Sequence, residues 1–411
     1  MNAPGQAGPA PVMSERRVGL LGALLVAIGP VSMALFTPAM PQIVHAFDTT
    51  EGAVKLTLSL YFAGFAFAQL VCGPLSDGFG RKPVTFAFML IYMAASLLAL
   101  FSPTIELLIA ARFLQGVGAA VGISVARAMV RDLYTHEKSA RIMNLIGLIL
   151  SIGPAVSPTL GGITMELAGW HAIFIVMFVG AVGSLVIVQL FMVETVQRDL
   201  SRIRPAALVR SYSSLLRSRY FVLGSLVLGG SAGVIYTQAT MLPFILMDRV
   251  GLSPTQFGIA MLMQSGSYIV GSLVVRMLLR RVAAPRLVPV GLAFMAVGSL
   301  GLAVWLRIAE PSLLSVMGPV GVYTFGIAFV MPSISTAVLA PFPHIAGAAS
   351  SMSGFVQMGS GLVGGTIAAA VGNPVMAMAT IVPVMGLIAI VSWLVWRRIP
   401  ELAQRPAVPP G

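Results

Sequence analysis

The chain alternates long apolar runs with short polar breaks. A helix needs about 20 apolar residues to cross the hydrocarbon core of a bilayer. Runs of that kind fall near residues 18–40, 52–75, 83–101, 105–126, 142–163 and 171–193. They recur near 221–246, 255–279, 287–306, 312–338, 345–371 and 375–396. The pattern predicts about twelve membrane-spanning helices in two sets of six. Gly and Pro recur inside the runs, which membrane helices tolerate because neighbouring helices satisfy the freed backbone groups. The first run is too long for the apolar part of a signal peptide, and further spans follow it. The expected organisation is an N-terminal tail over 1–17, a six-helix half over 18–194, a linker over 195–219, a second six-helix half over 220–396, and a tail over 397–411. Met1–Ser14, rich in Pro, Gly and Ala, is expected to be disordered.

Composition fits this pattern. The chain is 57% hydrophobic and 9% charged, with a mean hydropathy of +0.94. A soluble domain carries about 25% charged residues, so this surface must face lipid. The formal charge is +12, but the cations sit between apolar runs and not on a soluble face, which argues against a nucleic-acid partner. Cys72 is the only cysteine, so no intrachain disulfide forms. The polar stretch Thr195–Arg219 is too short for a domain. It is expected to be a tether, with an amphipathic segment resting on anionic headgroups.

The cations also orient the chain. Arg16, Arg17, Arg81, Lys82, Arg127, Arg131, Lys138, Arg141, the linker arginines, Arg276, Arg280, Arg281, Arg286, Arg397, Arg398 and Arg405 fall on one side. Only Lys55, Arg249 and Arg307 fall on the other. The positive-inside rule then predicts a multi-pass protein of the inner membrane with both termini in the cytoplasm.

Between the second and third spans lies Gly73-Pro74-Leu75-Ser76-Asp77-Gly78-Phe79-Gly80-Arg81-Lys82-Pro83. Its glycines permit tight turns and close approach, and Asp77 is placed to cap the next helix or to pair with a cation. The stretch resembles the G-x-L-x-D-x-x-G-R-K loop motif of the major facilitator superfamily, matched by Gly73, Leu75, Asp77, Gly80, Arg81 and Lys82. The fourth span holds Arg112-Phe113-Leu114-Gln115-Gly116-Val117-Gly118-Ala119-Ala120, similar to the R-x-x-Q-G-x-G-A-A of that family. The fifth holds Gly153, Pro154, Pro158, Gly161 and Gly162, resembling the Gly/Pro motif of its antiporters, with the glycine pair displaced. Pro38–Pro41, Arg127–Tyr134 and Pro343–Ser350 resemble the drug:proton antiporter branch, in particular its bicyclomycin-resistance and chloramphenicol-efflux (Bcr/CflA) type. The resemblance runs from about Leu20 to Trp396. It implies an all-α membrane protein of the major facilitator fold, with twelve transmembrane helices in two six-helix halves. The substrate path would lie between the halves. The equivalent loop of the second half, Gly271–Arg286, keeps its cations but lacks the aspartate.

The implied function is multidrug efflux, hence antibiotic resistance, by secondary active exchange of drug-like amphipathic molecules for protons. No cofactor is expected beyond the proton gradient. The expected partners are a small-molecule substrate and the lipid bilayer, and the expected state is a monomer. One departure bears on coupling. The branch places an aspartate in the first span, and here Ala34 stands there. All 13 acidic residues fall at span ends, although a proton-driven carrier needs a titrating group within the membrane. Coupling through Asp77, Asp132 or Glu106 and transport without protons both stay open.

Arg112 is the one charge well inside an apolar run, at an insertion cost of roughly 3 kcal/mol. It is expected to face the central cavity with Gln115, and an anionic or polar cargo fits it. Arg131 and Asp132 close the same helix. Asp77, Arg81 and Lys82 are expected to hold the cytoplasmic gate. Amides and rings deep in spans face protein or a water-filled path, which nominates Phe36, Tyr61, Gln69, Tyr236, Gln238, Gln264, Tyr268, Tyr323 and Gln357 as cavity residues. His45, His136, His171 and His344 lie singly at span ends without metal-ligand spacing. No nucleophile–base pair, phosphate loop or metal cluster supports an enzyme. Metabolite transport by the same fold, and a non-transporting receptor or scaffold, are the remaining alternatives.

Overall fold

The computed structural model describes residues 12–399, apart from the side chains at 136, 140, 148–151 and 202. The residues expected to be tails thus lie largely outside the described residues, as does the His136 side chain. Eleven helices are long and apolar enough to cross a membrane. The first four are α1 (Glu15–Ala46), α2 (Glu51–Phe79), α3 (Arg81–Leu100) and α4 (Ile105–Leu133). The next runs continuously over Glu137–Phe191. Straight, it would be about 80 Å long, far beyond the roughly 30 Å hydrocarbon core. It reverses at Gly169, where φ is +75° and ψ 179°. Gly19 packs on Leu145, and Arg17 Nε donates to the Phe191 carbonyl at 2.6 Å, so both ends of the element return to the start of α1. It is therefore two helices, α5 (137–168) and α6 (170–191). The second half holds α7 (Arg219–Ala239), α8 (Pro254–Leu278), α9 (Ala284–Ile308), α10 (Leu313–Leu339), α11 (Pro343–Val371) and α12 (Pro374–Trp396). The end of the bundle where α1 starts is called the basic end below, and the opposite one the far end.

At the far end most helices begin on a side-chain cap. The hydroxyls of Thr50, Thr104, Ser253 and Ser312 and the amide oxygen of Asn373 accept first-turn N–H groups, which satisfies donors that lipid could not. In the first half α1 packs on α5, α2 on α4, and α3 on α4 and α6. The second half repeats these neighbours six helices later, with α7 on α11, α8 on α10, and α9 on α10 and α12. Each half has an apolar core drawn mainly from its own helices, with Ala239, Phe244 and Met358 of the second half joining that of the first. Glycine allows a close crossing of α2 and α4, where Gly64 lies against the Phe113 carbonyl and Gly116 lies against the Tyr61 carbonyl. The halves meet chiefly along α2–α11 and α5–α8.

Two local expectations change. The motif stretch from Gly73 to Phe79 is not a connector but the last turns of α2, and the whole turn is Gly80 at φ +104°. At the N-terminus, Met13 is buried and its carbonyl accepts from the Tyr134 hydroxyl at 2.5 Å, so the chain is already docked before Ser14 caps α1. In the linker, Pro205–Arg217 is a helix. Its Tyr212 hydroxyl donates to the Leu70 carbonyl at 2.6 Å. Burial pushes that hydroxyl up to about 12, so it remains a donor at physiological pH.

Candidate functional site

At the basic end Arg81 is 2% exposed and joins three helices. Its Nη1 pairs with Asp77 and donates to Ser76 Oγ at 2.7 Å, both on α2. Its Nε binds Asp132 Oδ2, at the end of α4, at 3.0 Å. Asp77 therefore does not cap α3. That work falls to Glu194, beyond α6, whose carboxylate accepts the Arg81 and Lys82 N–H groups at 2.9 and 3.0 Å. Lys82 Nζ donates to the Gln189 carbonyl at 2.8 Å. Every described partner of Arg81 and Lys82 lies in the first half, so the cluster braces that half without itself bridging to the other. The bridge at this end is Arg127, which donates to Ser350 of α11 at 2.6 Å. Sequence reasoning does not single out Glu194 from the other charges at span ends, and it places Arg127 in the Arg127–Tyr134 stretch without its role as a bridge.

Between the cluster and α11 lies a cavity of about 210 Å³, lined by Gln69, Gly73, Asp77, Arg81, Arg127, Arg131 and Tyr212 among others. Drug-sized ligands occupy about 300–1,000 Å³, so this space is a vestibule too small for such a ligand.

Deeper in the first half Arg112 is fully buried. Its guanidinium carbon lies 4.3 Å from the Phe36 ring centre and 4.5 Å from that of Tyr61. Nη1 donates to Gln115 Oε1 at 2.6 Å, and Gln115 Nε2 donates to Ser96 Oγ at 2.8 Å. Met177 of α6 presents its sulfur to both side chains. Nε and Nη2 have no partner. These neighbours come from α1, α2, α3, α4 and α6, which corrects one expectation. Arg112 and Gln115 sit inside the first bundle, not on a cavity between the halves. The hydrophobic pattern could not reveal this, because lipid outside a membrane helix is as apolar as the packing inside.

The remaining candidates divide. Tyr61 donates to the Gly29 carbonyl at 2.9 Å, and Tyr323 donates to the Gly230 carbonyl at 2.7 Å. Both rings are thus internal to their own halves. Tyr236 lies 5.5 Å from Phe62 across the interface. Gln69 abuts Gly354 of α11. Gln69 and Gln264 each leave an amide oxygen unpartnered, and Gln238 leaves its nitrogen so. Gln357 donates to the Ser353 carbonyl at 3.3 Å, and Tyr268 is half-buried in the second half. In α5, Gly153 packs on Val31 and Gly161 on the Leu35 carbonyl, while Pro158 and Gly162 touch α8. Pro154 lies in the same helix. The α5 motif therefore serves one half and the interface at once.

Residues 22–369 match the sequence profile described as Major Facilitator Superfamily. The chain is 29% identical to multidrug resistance protein D of Escherichia coli K12, over 92% of this chain and 96% of that one. It is 30% identical to multidrug resistance protein MdtM of Salmonella typhimurium, over 73% of each. Among solved structures, a D-xylose–proton symporter superposes with a TM-score of 0.71 at 15% identity, covering 94% of this chain and 98% of that one. The human organic anion transporter MFSD10 superposes with a TM-score of 0.63 at 18% identity, over 93% and 99%.

Proposed function

The chain belongs to the Major Facilitator Superfamily, and on that premise we propose that it exports drug-like amphipathic small molecules in exchange for protons, as a carrier of the bicyclomycin-resistance and chloramphenicol-efflux type. It is a transporter and not an enzyme. In this reading it acts as a monomer in the inner membrane, and the basic end faces the cytoplasm. The observation that carries the reading is the contact pattern. The two bundles each have a core drawn mainly from their own helices and meet chiefly along α2–α11 and α5–α8. A vestibule remains at the basic end. Two such bodies can rock about a central site and expose it to each side in turn. The names of the multidrug resistance relatives support the cargo class. Proton exchange is assigned to Asp77 and Asp132, the two carboxylates that share Arg81.

A second reading, a carrier of the same fold without proton coupling, is favoured by one observation. Arg112 has no carboxylate beside it, and Ala34 stands where the resemblance calls for an aspartate. One experiment decides between the two. The purified protein is reconstituted in liposomes, a pH gradient is imposed, and labelled compounds including chloramphenicol-like ones are screened. Flux that follows the gradient supports exchange, and flux indifferent to it assigns the carrier to the second reading. No flux of any amphipathic compound would sink the export proposal.

A further inference from the structure

At the far end the halves are closed at two places. Where α5 meets α8, Gly162 lies against the Pro254 carbonyl and Gly258 against the Pro158 carbonyl. Where α2 meets α11, Gly52 lies against the Ala369 carbonyl. At each place a charged side chain of the first half binds a helix end of the second. Glu166 accepts the Thr255 N–H at 3.0 Å and its hydroxyl at 2.7 Å, so a carboxylate sits on the N-terminus of α8. Lys55 donates at 3.1 Å to the carbonyl of Gly372, which ends α11. It also donates at 3.1 Å to Glu51, and the Phe244 ring centre lies 5.1 Å away. The signs are those a helix macrodipole favours, anion at the N-terminus and cation at the C-terminus.

The two places are related by the internal repeat. Gly169 ends α5 at φ +75°, and Gly372 follows α11 at φ +77°. Each comes seven residues after a glycine pair, Gly161-Gly162 in one half and Gly364-Gly365 in the other. In that register Glu166 corresponds to Ala369. Counted from the starts of α2 and α8, Lys55 corresponds to Gly258. The repeat thus carries a charge at each of these positions in the first half and a small residue, Ala369 or Gly258, at the related position of the second. Ordinary surface pairing does not account for Lys55, which has no solvent exposure.

We propose that Lys55 and Glu166 are the latch of the outer gate, positioning residues whose bonds to Gly372 and Thr255 hold the carrier closed to the outside and must break for cargo to leave. The assignment of the far end as the outside rests on the orientation proposed above. Glu166 is exposed while Lys55 is not, so the Lys55 arm is the stronger.

The test reads access and needs no cargo, so it stands whether or not drug export is found. In a Cys72→Ala background, one reporter is Thr240→Cys, a buried position packed on Gly365 behind the α2–α11 closure. A second is Ser124→Cys in the basic-end vestibule. A membrane-impermeant maleimide is applied to intact cells for the first and to inside-out vesicles for the second. Lys55→Gln and Lys55→Met are expected to label Thr240→Cys about tenfold faster and Ser124→Cys more slowly, as a shift between two states requires. Glu166→Gln moves both in the same sense by less, the double variant exceeds either, and Lys55→Arg stays near the parent. Unfolding would raise labelling at both reporters. That result, unchanged labelling in both neutral Lys55 variants, or an equal rise in Lys55→Arg, overturns the proposal.

Discussion

Arg112 donates to Gln115 at 2.6 Å, one turn along α4, and among the described residues no carboxylate pairs with it. Burying the guanidinium costs roughly 3 kcal/mol. Two aromatic faces return up to about 2 kcal/mol each when desolvated, and the bond to Gln115 returns about 1.5–3 kcal/mol. The charge is therefore tolerable only as a planar group between rings. Arg112→Lys keeps the charge but loses the flat face and the reach. It should lower the unfolding midpoint of the detergent-purified protein by the equivalent of about 1–3 kcal/mol. Gln115→Ala should do the same, and a double-mutant cycle should reveal coupling above about 0.5 kcal/mol. Additive effects would mean that the bond contributes little.

Asp77→Asn removes one of the two carboxylates on Arg81 and leaves the Asp132 and Glu194 contacts in place. Transport should fall by about tenfold or more, as for loss of a charge-assisted contact, while expression and monodispersity stay near the parent. Unchanged flux would remove Asp77 from the working parts of the carrier.

Ala34→Asp restores an acid to the first span. Ser32 and Phe36 face the Arg112 chamber, and Ala34, two residues from each, projects from the opposite side of α1. The new carboxylate would thus not neutralise Arg112. A steeper dependence of flux on a pH gradient than in the parent is the expected outcome in liposomes, and an unchanged dependence would show that this position has no part in coupling.

Gly116→Ala places a methyl against the Tyr61 carbonyl at the α2–α4 crossing. Neither backbone can yield without parting two helices, so the loss should be about 1–3 kcal/mol, read as a lower unfolding midpoint. Gly73→Ala, also within α2 but meeting nothing within 4 Å, is the control and should leave the midpoint unlowered, or raise it slightly through helix propensity.

Much of this was legible in the chain alone. Spans are a matter of length and apolarity, and Arg81 announces itself by its motif. Asp77, in the same motif, is legible with it, but Asp132 and Glu194 are not, because they lie more than 50 residues away and only the folded bundle brings them together. The break around Gly169 is legible as the gap between the fifth and sixth runs, but the left-handed turn that makes it is not, since backbone conformation leaves no hydropathy signal. The rotation of α4 was beyond reach for the same reason that hydropathy finds membrane spans at all. Lipid and bundle interior look alike to an apolar face, so only contacts such as Met177 and Ser96 reveal which way Arg112 points. From the sequence Lys55 is only a cation on the outer side, and its burial depends on Phe244 and Gly372, which come far later in the chain.

The unaccompanied guanidinium has an electrical consequence. A unit charge crossing the full membrane potential gains or loses about 2.3 kcal/mol per 100 mV. For every tenth of that field through which the first bundle carries Arg112, the potential biases the conformational equilibrium by about 0.2 kcal/mol per 100 mV. Among the described residues no carboxylate pairs with Arg112 to cancel this bias, so a rocking motion that displaced the Arg112 chamber would respond to the membrane voltage, which would favour the state with the chamber nearer the negative side.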